Sequence, residues 1–191
     1  MLGWHQQTDP KRLRASLTVN ENSKLVLAKD QGAALTVNID DAKATPTLVS
    51  GTLLLDVNAT QAAAIKTGGK VDTVILNAGT KAANGNATVT MADLDLNAKT
   101  NTLVIQGAND LTLSKLTLED TTADVVSAAT MTGKLTVVDT VGTGDATLTL
   151  GSNDDSITST AAAKLTIHAN GGNDKVSIAN ALAGSIVNGV S

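Results

Sequence analysis

Leu35-Thr36-Val37-Asn38-Ile39 has apolar side chains at its odd positions and polar side chains at its even positions. This alternation predicts a β-strand with one buried face and one exposed face. Similar phrases, in which aliphatic or threonine residues precede asparagine or aspartate, recur along the chain. They end at Asn20, Asn38, Asn58, Asn77, Asn97, Asp120, Asp139, Asn170 and Asn188. The first five follow one another at a nearly constant interval, and a fixed period of roughly 18–20 residues indicates stacked repeats.

The repeat predicts an all-β fold, a parallel β-helix or β-roll solenoid with about 18–20 residues per coil. Each unit offers one short strand and a turn, which cannot bury an apolar face alone, so neighbouring units must stack. We therefore expect more than half of the residues to lie in short parallel strands. We also expect the first five asparagines to stack in register along one edge, as a hydrogen-bonded ladder.

The composition agrees with a thin solenoid interior. The chain has no Phe, Tyr or Cys, a single Trp and only 2 prolines. An ordinary globular core of this size contains several aromatic rings, because each ring buries a large area. A narrow stack of Leu, Val, Ile and Ala has no room for them. The lack of cysteine also excludes thiolate metal sites and disulfides.

The charge pattern argues against several classes of function. The net charge is -4, whereas phosphate binding requires clustered Lys and Arg, so we expect no nucleic-acid partner. No apolar run has the length of a membrane span, so we expect no membrane insertion. His5 and His168 lack a plausible nucleophile and orienting group, and no P-loop, dinucleotide or zinc motif occurs. We therefore expect no enzymatic activity, and we expect His168 to point outward from its strand.

The chain divides into a short leader and the repeat region. Residues 1–15 hold Trp4, Arg12 and Arg14 and show no β alternation. They are either an N-terminal cap over the first coil or an added leader segment, and both interpretations stay open. Residues 16–191 are predicted to form the solenoid. Because 185–189 reads as the beginning of another coil, we expect this solenoid to be a C-terminally truncated segment of a longer chain.

Acidic turns in the C-terminal third are the candidate metal ligands. The turns lie at 107–110, 151–155 and 171–174, and each combines Gly, Asn and Asp. Calcium binds six to eight oxygens from carboxylates, carbonyls and amides, which such turns supply. The alternative is that these side chains only accept turn amides. The candidates are Asp174, Gly172, Gly171, Asn173, Asp155, Asp154 and Asn153, with Asp110 a weaker one and Asn188-Gly189 a neighbouring turn.

One of these turns carries a family resemblance. Gly172-Asn173-Asp174-Lys175-Val176 resembles the second half of the repeats-in-toxin nonapeptide G-G-x-G-x-D-x-U-x. The stretch 150–189 is similar to calcium-dependent bacterial surface-layer (S-layer) proteins of the repeats-in-toxin type. The match is degenerate, because Ala169 and Asn170 occupy the positions of the first two glycines. The resemblance implies Ca²⁺ as cofactor, secretion, an extracellular location on the bacterial cell surface, and self-association with neighbouring subunits.

Two functions from different classes follow. The first is a structural module of a secreted surface layer that assembles into a calcium-dependent lattice. The second is a stalk or ligand-binding segment of a large repeats-in-toxin adhesin or exoprotein. Contact with cell-surface polysaccharide would then use regions outside this chain. A third hypothesis, ice binding, is weaker, because the pairs Thr88/Thr90 and Thr147/Thr149 do not recur once per coil.

Overall fold

A computed structural model describes residues 16–39, 51–79, 87–97, 99–118, 123–180 and 182–189. The predicted cap or leader, 1–15, lies outside the described residues. The strands are β1 Ser16–Val19, β2 Lys24–Leu27, β3 Leu35–Ile39, β4 Gly51–Val57, β5 Gln61–Thr67, β6 Val71–Asn77, β7 Thr88–Leu96, β8 Thr102–Gly107, β9 Asp110–Leu113, β10 Leu116–Leu118, β11 Asp124–Met131, β12 Leu135–Gly142, β13 Ala146–Thr149, β14 Ser156–Ser159, β15 Leu165–His168, β16 Lys175–Ile178 and β17 Ile186–Asn188.

The strands form two parallel sheets that the chain visits in turn. The nine-stranded sheet runs β1-β3-β5-β7-β10-β12-β14-β16, with β9 between β7 and β12 beside β10. The eight-stranded sheet runs β2-β4-β6-β8-β11-β13-β15-β17. Strands account for 61% of the described residues, in about seven turns, and none of these residues forms a helix that could cross a membrane. The predicted parallel β-solenoid is confirmed.

The core lies between the two sheets and is built by the predicted alternation. In β8, Leu103 and Ile105 are fully buried, whereas Thr102 and Val104 on the opposite face are partly exposed. The same pattern places Leu165 and Ile167 of β15 inside and His168 on the outer face, as predicted. Stacked aliphatic side chains therefore form one continuous interior, and burial of their apolar surface is the main stabilising contribution.

Coil length changes along the solenoid. Near the C-terminal end, Ser156 pairs with Lys175 and Ala146 with Leu165, so a coil there has the predicted length. Nearer the N-terminal end, Leu35 pairs with Ile65, which makes that coil about half as long again. The longer coils carry longer connections between strands, which the spacing of the phrases did not reveal.

The predicted asparagine ladder is wrong. Asn20, Asn38 and Asn97 belong to strands of the nine-stranded sheet or directly follow them, whereas Asn58 and Asn77 lie on the eight-stranded sheet. Where a coil is longer than the repeat period of the sequence, moving one repeat period along the chain leads to the other sheet and not back to the same sheet. The register within one sheet also fails, because the residue of β1 that pairs with Asn38 is Thr18.

Individual asparagines make local hydrogen bonds in place of that ladder. Asn97 Nδ2 donates to Thr67 Oγ1 at 2.8 Å and to the Gly68 carbonyl at 2.6 Å. Asn77 Nδ2 donates to Asp56 Oδ1 at 3.0 Å. These contacts join adjacent coils through different partners at each level, because the residue stacked on an asparagine is rarely another asparagine.

Candidate cation site at the acidic turns

The acidic turns lie at one corner of the solenoid, because the strands that follow them are neighbours in the nine-stranded sheet. Leu111 pairs with Leu135, Thr136 with Ser156, and Ser156 with Lys175. The turns 107–110, 151–155 and 171–174 are therefore stacked, with the turn 132–134 between the first two. We call these four turns the acidic turn stack.

Asp155 is the buried centre of this stack, with only 2% of its surface exposed. Its Oδ1 accepts a hydrogen bond from the Leu135 amide at 2.7 Å, and its Oδ2 accepts one from the Gly151 amide at 2.8 Å. The bond from Leu135 joins the coil that contains Asp155 to the preceding coil, and the bond from Gly151 closes the turn 151–155. Both carboxylate oxygens are thus engaged by backbone donors, which matches the predicted alternative of an amide-accepting turn.

The electrostatic environment of Asp155 is mixed. Burial raises the pKa of the Asp155 carboxyl, because the charged form loses hydration, and the neighbouring Asp174 carboxylate raises it further. The amide donors of Leu135 and Gly151, together with the Lys134 charge, lower it. Desolvation is the largest effect, so the net shift of the pKa is upward.

Asp174 lies one coil further along and repeats half of this arrangement. Its Oδ1 accepts a hydrogen bond from the Asp155 amide at 2.8 Å. Its Oδ2 is buried and has no hydrogen-bond partner among the described residues. The side chain borders an open cleft lined by Lys175, Val176, Ile178 and Val187. Asp174 therefore keeps one hard oxygen donor that no group in this part of the chain uses.

The other predicted ligands hold the turns to each other. Asp154 is exposed, and its Oδ1 accepts the Asn173 amide at 2.8 Å. Asn153 Nδ2 donates to the Thr132 carbonyl at 2.5 Å. Asp110 is brought to the same corner, where its Oδ1 accepts the Lys134 amide at 2.8 Å. Each of these side chains bonds to the adjacent coil.

Two glycines of the last turn have different surroundings. Gly172 has a φ of +106°, and a Cβ there would lie 2.4 Å from the Asn153 carbonyl oxygen. Gly171 has only ordinary contacts, with Ser152 atoms at 3.8 Å. Close stacking of the turns 151–155 and 171–174 therefore requires glycine at 172, whereas position 171 tolerates a side chain.

Asn188-Gly189 approaches the stack from the eight-stranded sheet. The Ala169 amide donates to the Asn188 carbonyl at 2.8 Å, and a Cβ on Gly189 would lie 3.3 Å from the Asn170 nitrogen. The turn Asn188-Gly189 therefore lies next to Ala169 and Asn170, which lead into the turn 171–174, and on the opposite side of that turn from Asp155.

The turn 132–134 also belongs to the stack, although its sequence did not predict this. It contains Gly133 and Lys134 but no acid, so no composition signal connects it to the acidic turns. Gly133 permits close stacking, since a Cβ there would lie 2.0 Å from the Asn109 carbonyl oxygen. Lys134 places a positive charge between Asp110 and the following acids. The register of β9 with β12 was the information needed to find it.

The donor set fits a hard cation at Asp174. The unpartnered, buried Oδ2 of Asp174 is a carboxylate oxygen in a turn rich in carbonyls, which is the ligand chemistry of Ca²⁺. Within the described ranges, no three Asp, Glu, His or Cys side chains form a metal-binding group. Other ligands would therefore come from backbone or amide oxygens of Gly171, Gly172 and Asn173, and from water.

The fold and the stack together define the class of this protein: a parallel β-solenoid whose turns are joined by carboxylate–amide hydrogen bonds. Comparisons with protein families, with curated proteins and with solved structures find no match to the chain.

Proposed function

We propose that this chain is a structural module of a secreted bacterial surface layer, in which solenoids pack side by side into a calcium-dependent lattice on the cell surface. The supporting observation is that both sheets extend through all described turns of the solenoid, with unbroken register in pairs such as β6 with β8, β13 with β15, and β14 with β16. Such faces present the same kind of contact repeatedly, and repeated weak contacts can add up to a stable array.

Calcium has a defined part in this proposal. Asp174 Oδ2, with backbone oxygens of 171–173, would hold the ion at the acidic turn stack. A bound cation would offset the repulsion between the Asp155 and Asp174 carboxylates, which contributes to the raised pKa of Asp155. It would thereby stiffen the last described coils, and stiff coils lose less entropy when they pack against a neighbour.

Assembly is the direct test of the proposed function. We expect the full chain, concentrated in the presence of Ca²⁺, to form ordered two-dimensional arrays that electron microscopy detects, and we expect a chelator to dissolve them. A chain that stays monomeric at every concentration, with and without calcium, contradicts the proposal. That result would favour the alternative function, a stalk or ligand-binding segment of an adhesin.

The calcium site is tested separately by thermal unfolding. Binding to the folded state alone stabilises by about 2.7 kcal/mol when the ligand exceeds its Kd a hundredfold. We expect calcium to raise the melting temperature of the unmodified chain, and Asp174→Asn to remove most of that increase. Asparagine keeps an acceptor for the Asp155 amide and removes the charge.

The matched control for this experiment is Asp139→Asn. Asp139 Oδ1 also accepts an amide from the next coil, that of Thr160, at 3.2 Å, but Asp139 lies outside the acidic turn stack. Calcium should stabilise Asp139→Asn as much as the unmodified chain. Superimposed melting curves for the unmodified chain with calcium and with chelator would contradict calcium binding.

A further inference from the structure

The first coil leaves apolar side chains less covered than the equivalent side chains of the next coil. Among the described strands, β1 pairs only with β3, and β2 pairs only with β4. Leu17 of β1 is partly exposed, whereas Val37, its partner on β3, is fully buried. Leu25 of β2 is also partly exposed, whereas its partner Leu55 is only 1% exposed. The outer side of the first coil therefore presents apolar surface that the inner coils bury against a neighbouring coil.

A cavity of about 240 Å³ opens beside these strands. Its lining includes four leucines, Leu17, Leu25, Leu27 and Leu35, and one polar side chain, that of Gln31. None of the described residues that line it is charged. An apolar group about the size of one aromatic ring fits such a cavity. Its burial would be favourable, because apolar surface would leave water on both sides of the contact.

The segment that directly precedes β1 carries a group of this kind. Residues 1–15 hold Trp4, the one aromatic residue of the chain, 12 positions before Ser16, where β1 begins. An extended segment of that length spans about 40 Å at most, so Trp4 can reach the cavity. A ring inside the stack would push neighbouring coils apart, whereas a ring over the first coil displaces none. The position of Trp4 outside the repeat region agrees with that constraint.

Chain connectivity and charge favour residues 1–15 over another part of the chain as the occupant. Residues 40–50 connect β3 to β4, and each of these strands already has a neighbouring strand on both sides. Residues 1–15 are joined to β1, the first strand of its sheet. They also carry a net charge of +2, whereas the remaining residues carry -6 of the total of -4. Opposite net charges favour a docked segment over a detached one.

We infer that residues 1–15 cap the solenoid and that the Trp4 ring occupies the cavity of the first coil. This inference decides between the two interpretations of the segment, the cap and the added leader. It is independent of the proposed lattice function. Because the segment is covalently joined to β1, its effective concentration at the cavity is high. A docked segment also covers the outer edges of β1 and β2, which would otherwise offer unpaired backbone groups to strands of other chains.

Intrinsic fluorescence tests whether Trp4 is buried. Trp4 is the single tryptophan and the chain has no tyrosine, so the emission reports on this one side chain. We expect the native chain to emit at a shorter wavelength than the chain in denaturant, and acrylamide to quench the native emission several-fold less. Both properties should persist on dilution to a monomer, which sedimentation verifies. Native emission equal to that in denaturant would overturn the inference. Burial that disappears on dilution would also overturn it, because a second copy would then be the occupant.

Quenching by a nitroxide label tests where the ring lies. Val26 borders the cavity and is 47% exposed, and Ile186 on the last described strand is 49% exposed. The chain has no cysteine, so Val26→Cys and Ile186→Cys each give one labelled site at an exposed position. Seven strand spacings of about 4.8 Å separate β2 from β17. We expect the label at position 26 to quench most of the Trp4 emission and the label at position 186 to leave it unchanged. Equal quenching by the two labels, or quenching from position 186 alone, would overturn the inference.

A charge in the cavity wall tests the contact itself. Leu25→Asp places a carboxylate beside the ring, and we expect the Trp4 emission to shift toward that of the denatured chain. The matched control is Val187→Asp, since Val187 pairs with the buried Ile167 on the last described strand and is 37% exposed. The control should keep the emission of the unmodified chain, and circular dichroism checks that both variants keep their strands. A shift in the control alone, or an unchanged emission in folded Leu25→Asp, would show that Trp4 is buried elsewhere and overturn the inference. If Leu25→Asp loses its strands, the label experiment decides.

Discussion

Asp155→Ala is expected to lower the free energy of unfolding by about 2–5 kcal/mol, because a buried amide that loses a charged acceptor is left unsatisfied. The carboxylate accepts the Leu135 and Gly151 amides, and the residue is 2% exposed, so water cannot replace it without opening the turn. Chemical denaturation followed by circular dichroism measures the loss.

The control for Asp155→Ala is its neighbour, Asp154→Ala. Asp154 also accepts an amide of an adjacent coil, that of Asn173, but it is exposed, so water can replace the lost acceptor. A loss of about 0.5–1.5 kcal/mol is expected there, the value of one ordinary hydrogen bond. Equal losses for the two variants would mean that the burial of Asp155 has no energetic importance.

The difference in stability between the unmodified chain and Asp155→Ala should depend on pH in a definite direction. Since burial raises the pKa of Asp155 in the folded state, the folded chain binds this proton more readily than the unfolded chain. The contribution of Asp155 to stability is therefore greatest below the unfolded pKa and falls as the pH rises through the folded pKa. In chelator, the difference in stability between the unmodified chain and Asp155→Ala should grow as the pH is lowered from neutrality. A difference that shrinks would show that the amide donors outweigh desolvation.

The fold could be predicted from the sequence because its cause is local and repeated. The alternation seen in Leu35-Thr36-Val37 and the presence of a single aromatic residue in the chain both agree with a thin two-faced interior. Coil length could not be predicted in the same way. It depends on the connections between strands, and the spacing of Asn38 and Asn58 does not distinguish a full coil from a crossing to the other sheet.

The sequence predicted which acidic residues come together in the acidic turn stack, but it did not predict which groups each of them contacts. The sequence identified Asp174 as the main candidate ligand and Asp155, with Asp154, as a weaker one in a neighbouring coil, since each belongs to a turn of Gly, Asn and Asp. Their roles differ because Asp155 has two amide donors within reach, whereas Asp174 Oδ2 has none in the described part of the chain. Aspartate suits both amide acceptance and cation binding, so the residue type alone cannot separate the two roles.

Gly172→Ala is expected to destabilise the protein by about 2–5 kcal/mol, through strain and overpacking together. The φ of +106° at Gly172 is a conformation that side chains with a Cβ rarely adopt. The added carbon would also lie 2.4 Å from the Asn153 carbonyl oxygen, and backbone atoms of the adjacent turn cannot rotate away as a side chain can. Relief would require the last two turns of the acidic turn stack to separate, which would lengthen the bond between the Asp155 amide and Asp174.

Gly171→Ala provides the adjacent control, because its Cβ would meet Ser152 atoms only at 3.8 Å. A change within about 0.5 kcal/mol is expected there, as for other surface substitutions. If calcium binds at Asp174, Gly172→Ala should also lose the thermal stabilisation by calcium, since the ligand oxygens of 171–174 would move. Gly171→Ala should keep it. Equal stability of the two alanine variants would contradict the close stacking of these turns, and with it the geometry on which the cation site depends.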